Sequence, residues 1–285
     1  MGPTSSLRVG DQPAQPFSWT LGCGALAVVH TGLMGRIVST FREHPDRKAL
    51  FDYVSAHTPI KFEKSDSPTW GSQTVDGKTT IFWAESKYPE ACLCHELLHA
   101  KLKIDGYKQY VTAVCRTDKK SCIANLLSAI DNELPHHVFF REFEALGFGP
   151  TEMYNDADTE TYKDIKLEIA KLEGADSPLE SYFYLLISII APGGYVEDHQ
   201  RIELLDLLEQ KAPRQYWKRL NTIRGTFKSF VESGNLDGGV AIASILQALG
   251  GYEPTWISFQ IDEFPDKGHF VGSPFTEDDL RFGRV

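Results

Sequence analysis

The ten residues Ala91-Cys92-Leu93-Cys94-His95-Glu96-Leu97-Leu98-His99-Ala100 set a His-Glu-x-x-His pattern inside an apolar run, and no proline or glycine interrupts the chain from Glu90 to Ile104. Such a stretch reads as a buried helix. Residues four apart share a helix face, so His95 and His99 can turn imidazole nitrogens toward one metal ion, with Glu96 beside it. Two buried imidazoles and a buried carboxylate are costly unless they share a partner. Zn²⁺ suits this donor set: a catalytic zinc takes one further protein ligand, keeps an open position, and lowers the pKa of bound water to about 7, where Glu96 can act as general base. Independent placement of nine histidines in 285 residues gives this pattern in roughly two chains per hundred, so a core helix with two incidental histidines is the weaker reading.

A net charge of -10 and a pI near 5.4 argue against nonspecific attraction to nucleic acid or anionic membrane, since both need a basic face. The five cysteines, Cys23, Cys92, Cys94, Cys115 and Cys122, follow no disulfide spacing and favour a reducing, cytoplasmic setting, with Cys92 and Cys94 read as small buried residues rather than ligands. Val9 to Pro16 is polar and proline-containing, which argues against a secretory signal. The apolar runs Leu21 to Val29 and Tyr182 to Ala191 fall well short of the roughly 20 residues that span a bilayer.

Three segments emerge: an N-terminal extension over 1–44, a core over 45–150 and a mostly helical region over 151–285 packed on that core. The pattern predicts a helix over Pro45 to His57, then β-prone runs at Pro59 to Glu63 and Lys78 to Trp83 that should pair across a loop rich in Gly, Ser and Asp. Pro89 suits the first turn of the motif helix. Tyr107 to Thr117 reads as extended or helical. Ser121 to Leu146 is a second long helix, ended by Gly147 and Gly149-Pro150. From Thr159 to Leu249 about four helices are expected, broken at Gly174, Pro192 to Gly194, Pro213 and Gly234 to Gly239. Trp256 to Ile261 alternates like a strand. The fold class is therefore α+β, predominantly helical.

On the motif and these flanking elements, the region of roughly 46 to 147 resembles the zincin metallopeptidases, in which a short sheet and a His-Glu-x-x-His helix form the upper half of the active site. The resemblance implies a zinc-dependent peptidase acting on a peptide or protein. It also implies that Thr79 to Trp83 is the edge strand lining the cleft, able to pair with an extended peptide. Metzincins continue the motif with a glycine and a third histidine, but here Leu102 and Asp105 stand at those places, which disfavours that class and leaves Asp105 a poor ligand candidate. Gluzincins take a glutamate from a downstream helix, and Asp131-Asn132-Glu133-Leu134-Pro135-His136-His137 offers one. The preferred assignment is Glu133 as third ligand, with His137 or His136 as a donor beside it or a stabiliser of the oxyanion. The reverse, in which His136 or His137 binds zinc and Glu133 orients it, stays open, because an acidic residue expected four places after the glutamate is replaced by His137. Pro135 marks a kink or a helix start. Tyr154, Tyr162 and His199 are candidate donors to the transition state.

Lys211, Arg214, Lys218, Arg219, Arg224 and Lys228 lie on a segment without acids, whose apolar stripe Trp217, Leu220, Ile223, Phe227 and Phe230 is read as its buried face. A solvated face is the plainest role for those cations; contact with an acidic partner is an alternative, nucleic acid a weaker one. The second functional reading of the whole chain is accordingly a regulatory or interaction protein with a structural or vestigial metal site. The same zinc chemistry would serve an esterase or amidase. No oligomeric state follows from the sequence.

Overall fold

Two residues, Asp76 and Gly77, both adopt positive φ (50° and 69°), the conformation that a two-residue hairpin turn requires. They join strand β2 (Gly71–Val75) to β3 (Lys78–Trp83), which pair antiparallel with Val75 opposite Lys78. Strand β1 (Ile60–Lys64) lies parallel to β3 on its other side, giving the order β1-β3-β2. The two expected strands do pair. The expectation that Thr79 to Trp83 forms the sheet edge is corrected: β3 is flanked on both sides, and β1 and β2 are the edge strands.

The computed structural model describes residues 32–115, 120–154 and 160–276. The stretch 1–31, with Cys23 and most of the expected N-terminal extension, lies outside the described residues. So do 116–119, 155–159 and the last residues of the tail.

Helix α1 (Leu33–Phe41) buries Met34, Ile37 and Phe41. Helix α2 (Pro45–His57) follows with proline in its first turn, over the predicted span. Helix α3 (Pro89–Ile104) carries the motif and packs on α2, β2 and α4 (Lys120–Ala145). Arg47 of α2 fastens this group: its guanidinium pairs with Glu90 at 3.2 Å, donates to the Leu146 carbonyl at 2.9 Å and lies 4.0 Å over the Phe148 ring.

Pro135 lies inside α4, and the helix runs through it. A proline lacks the amide that would bond the carbonyl four residues back. That carbonyl belongs to Asp131, and the Tyr107 hydroxyl donates to it at 3.4 Å and to Asp131 Oδ1 at 3.2 Å. Gln109 and the Tyr110 amide also donate to the Asp131 carboxylate, so the 107–110 segment is stitched to the middle of α4. Beyond it, the undecided segment becomes strand β4 (Thr112–Cys115), in a second antiparallel sheet with β5 (Thr255–Ser258) and β6 (His269–Val271).

From Glu160 to Leu249 run five helices rather than the four expected: α5 (Tyr162–Lys171), α6 (Leu179–Ile190), α7 (Asp198–Lys211), α8 (Arg214–Ser233) and α9 (Gly239–Leu249). The four expected breaks fall where the sequence places them, and four breaks make five helices. Gly193, at φ +84°, seats the α6–α7 turn against the segment after α4: a Cβ there would lie 2.9 Å from the Phe140 ring and the Pro150 carbonyl and 3.0 Å from Met153. The Gly194 amide bonds that same carbonyl at 2.8 Å. Arg201 closes the turn by donating to the carbonyls of Ile189, Ala191 and Gly193. Buried apolar residues form a continuous core from Met34 to Val271. The class is α+β with helices dominant, and among the described residues no helix is long and apolar enough to cross a membrane.

Candidate metal centre

Where α3 crosses α4, the buried polar residues Glu96, Asp131, Glu133 and His136 gather within an otherwise apolar core. His95 and His99 project from α3, one turn apart, and His136 from α4. The Nε2 atom of His99 lies 3.1 Å from Nε2 of His95 and 3.2 Å from Nε2 of His136. A ring nitrogen carries one proton or one lone pair, so His99 cannot make a sound hydrogen bond to both. Zinc–nitrogen bonds of 2.0–2.1 Å at tetrahedral angles separate two ligand nitrogens by roughly 3.3–3.4 Å, close to what these rings already show. His95, His99 and His136 form a group whose ligand atoms all lie within 4.8 Å of one another.

Burial holds all three imidazoles neutral. It pushes His95 and His99 well below the ordinary histidine value, with neighbouring rings adding to the effect, and pushes His136 down to about 3. Neutral rings keep the lone pair that a cation needs. The Phe139 ring stands edge-on to all three, with centroids 4.9–5.7 Å away, and forms an apolar wall.

Glu133 is not among the converging atoms. Its Oε2 lies 3.2 Å from His136 Nδ1, and its Oε1 lies 3.4 Å from His137 Nε2. The Tyr154 hydroxyl, 3.3 and 3.4 Å from the two carboxylate oxygens, also meets His136 Nδ1 at 3.1 Å. A carboxylate that accepts from Nδ1–H fixes the tautomer whose Nε2 lone pair faces the cluster. The geometry therefore favours the second of the two arrangements read in the sequence: His136 at the centre and Glu133 behind it, with His137 on the far side of Glu133 against Phe227. Burial pushes Glu133 up to about 7, against the pull of His137, Tyr154 and Arg201. Burial, reinforced by Glu133, lifts the Tyr154 phenol well above its usual value and keeps it a donor.

The three histidines open into a cavity of about 400 Å³, lined also by Glu96, Trp70, Ser72, Asn132 and Met153. Glu96 follows His95 in the chain and shares that space, as the motif predicts. Edge strand β2 borders it through Gly71 and Ser72. Among the other candidates, Tyr154 is at the site, whereas Tyr162 donates to Glu203 and His199 sits exposed beside Glu197. Asp105 caps α3, where Tyr53 and Lys101 engage it. Cys94 is fully buried with its thiol raised by burial, and Cys92 meets Ser86 at 3.2 Å; neither joins the histidine group. The basic segment is divided: Lys211 ends α7 and the other cations lie on α8, where Leu220, Ile223, Phe227 and Phe230 form the buried face as expected and Trp217, also expected there, is half-buried. Sequence reasoning passed over Lys103, which lines the cavity one turn beyond His99; the four-residue spacing His95, His99, Lys103 was the available signal.

Comparison of the chain with protein-family models, with curated proteins and with solved structures found no match.

Proposed function

We propose that the chain is a zinc-dependent hydrolase of peptide bonds, with His95, His99 and His136 as the zinc ligands and Glu96 as general base. The observation that carries this reading is the convergence of three neutral imidazole nitrogens on one point at the wall of an open cavity that also holds a carboxylate. A structural zinc is usually enclosed by four protein ligands, whereas three histidines facing an open cavity suit a catalytic one. When bound, zinc supplies a Lewis acid that polarises a carbonyl and acidifies water. Glu96 takes the proton from the attacking water on a carboxylate oxygen and delivers it to the leaving amine. Glu133 and Tyr154 hold the His136 ring in register. Two ligands from α3 and one from α4 match the division of labour implied by the zincin resemblance, with histidine in place of the gluzincin glutamate. An extended peptide can lie along β2, since among the described residues no strand pairs with its outer side. The free thiols of Cys92, Cys94, Cys115 and Cys122 fit a reducing compartment such as the cytoplasm.

The test is elemental analysis together with hydrolysis of a mixed peptide library. One zinc per chain is expected, with cleavage abolished by chelation and reduced by about 10²–10⁴ in Glu96→Gln at unchanged zinc content. Cleavage that survives intact in Glu96→Gln would refute the mechanism.

A further inference from the structure

A second cavity, of about 570 Å³, adjoins the first, and Lys103 and Gln109 line both. Its walls include Thr74 at the end of β2, Tyr107, Phe259 and Lys267. Exposed apolar side chains stand on the neighbouring segments: Val75 follows Thr74, and Val111 and Ile261 flank the wall formed by Tyr110 and Phe259. The two spaces read as one trough along β2, and Lys103 stands where they meet.

Lys103 is half-buried, yet among the described residues it stands in no ion pair or hydrogen bond. The two nearest acids act on it only at a distance. One of them, Asp131, already accepts from Tyr107, Gln109 and the Tyr110 amide, and the other, Glu96, is the proposed base. Lys108 in the second cavity is taken up by Asp237 at 3.0 Å, and Glu263 there accepts from Ser258. Burial lowers the Lys103 ammonium from its usual value, outweighing the opposing pull of Glu96 and Asp131. An unpaired, partly desolvated cation in a cleft is costly unless something else pairs with it.

Resting on the hydrolase reading above, we infer that Lys103 is a specificity-determining residue that binds a substrate carboxylate at the junction of the two cavities. Helix α3 rises about 1.5 Å per residue, so Lys103 lies about 6 Å past His99 along the axis, while an extended peptide advances about 3.3 Å per residue. The carboxylate thus belongs about two residues from the cleaved bond, either on an Asp or Glu side chain or at a free C-terminus.

Four peptide hydroxamates, which anchor on zinc, test this on the zinc-loaded protein. One carries Asp at the position two residues from the anchor, and its control carries Asn. One ends in a free carboxylate there, and its control ends in an amide. Wild type should prefer one acidic member over its control by about tenfold or more, the scale of one charge-assisted hydrogen bond, and the preferred pair identifies the source of the carboxylate. The preference should weaken with salt, persist in Lys103→Arg and collapse toward unity in Lys103→Met. Tight binding without acidic preference in wild type, or a preference that survives unchanged in Lys103→Met with normal zinc content, would overturn the role of Lys103 while leaving the metal centre standing. Absence of zinc, with no hydroxamate bound, would remove the metal reading and this inference together.

Discussion

Glu133 Oε2 lies 3.2 Å from Nδ1 of His136, on the side of the ring away from the Nε2 that meets His99. The two residues are three apart on one helix and divide one role between them, with the carboxylate orienting the ring and the imidazole presenting its lone pair. Removal of either should affect zinc differently. His136→Ala should release the metal, whereas Glu133→Gln should retain it with affinity reduced about 10–100-fold, as for other partners of metal-bound histidines. Competition against a chelator of known affinity measures both, and zinc lost fully in Glu133→Gln but kept in His136→Ala would reverse the assignment.

Tyr154 touches Glu133 and His136 Nδ1 from behind the cluster. Tyr154→Phe should therefore lower zinc affinity, with the loss of a buried hydrogen bond worth about 0.5–1.5 kcal/mol, and should leave kcat of the zinc-saturated enzyme nearly unchanged. A drop in kcat of a hundredfold or more at full zinc occupancy would mean that the hydroxyl reaches the reacting carbonyl instead.

Metal removal should be legible in stability. Zinc held at about 100 times its Kd adds about 2.7 kcal/mol, and in a chain of this size each kcal/mol moves Tm by about 2–4 °C. Chelation should thus lower Tm by roughly 5–10 °C in wild type and shift His136→Ala little. Equal shifts in the two proteins would show that the metal sits elsewhere.

Tyr107 replaces the amide that Pro135 lacks. Tyr107→Phe should cost about 1–3 kcal/mol by leaving Asp131 short of donors. Pro135→Ala restores an amide aimed at the same carbonyl, so the tyrosine substitution should cost less in that background. Urea unfolding of both single variants and the double variant gives the coupling, and strict additivity would contradict the shared carbonyl.

Asp237 accepts from Tyr110 at 2.6 Å, Lys108 at 3.0 Å and the Gly239 amide at 3.1 Å. Burial works to raise its pKa, but these donors outweigh it and hold the carboxyl below the usual carboxylate range. With the folded value below the unfolded one, the unfolded chain binds the extra proton between them. The stability contributed by Asp237 is therefore present above about pH 4 and lost as the pH falls through the folded value. Asp237→Asn should flatten the acid limb of stability as the pH falls below about 4, and an unchanged slope would exclude this source.

The motif helix was readable almost residue by residue, because Pro89 opens it and an uninterrupted apolar run sustains it to Ile104. Strand β2 was not. Gly71-Ser72-Gln73-Thr74-Val75 has no apolar alternation, and it becomes a strand by pairing with β3, although Asp76-Gly77 signalled the hairpin. The third ligand was ambiguous for a similar reason. Glu133, His136 and His137 all fall near one face of α4, and which of them reaches His99 depends on how α4 crosses α3. Tyr154 carried no local signal, since the α6–α7 turn and the segment after α4 bring it to the cluster from outside the motif region.

Gly193 gives that last contact a genetic consequence. It has no ligand to hold and no proton to move, yet a single methyl group there would strike Phe140, the Pro150 carbonyl and Met153, and so displace the backbone that carries Tyr154 to the ring of His136. A substitution at this turn would therefore reach the histidine cluster without altering any residue of it, which ties the helical half of the chain to the site.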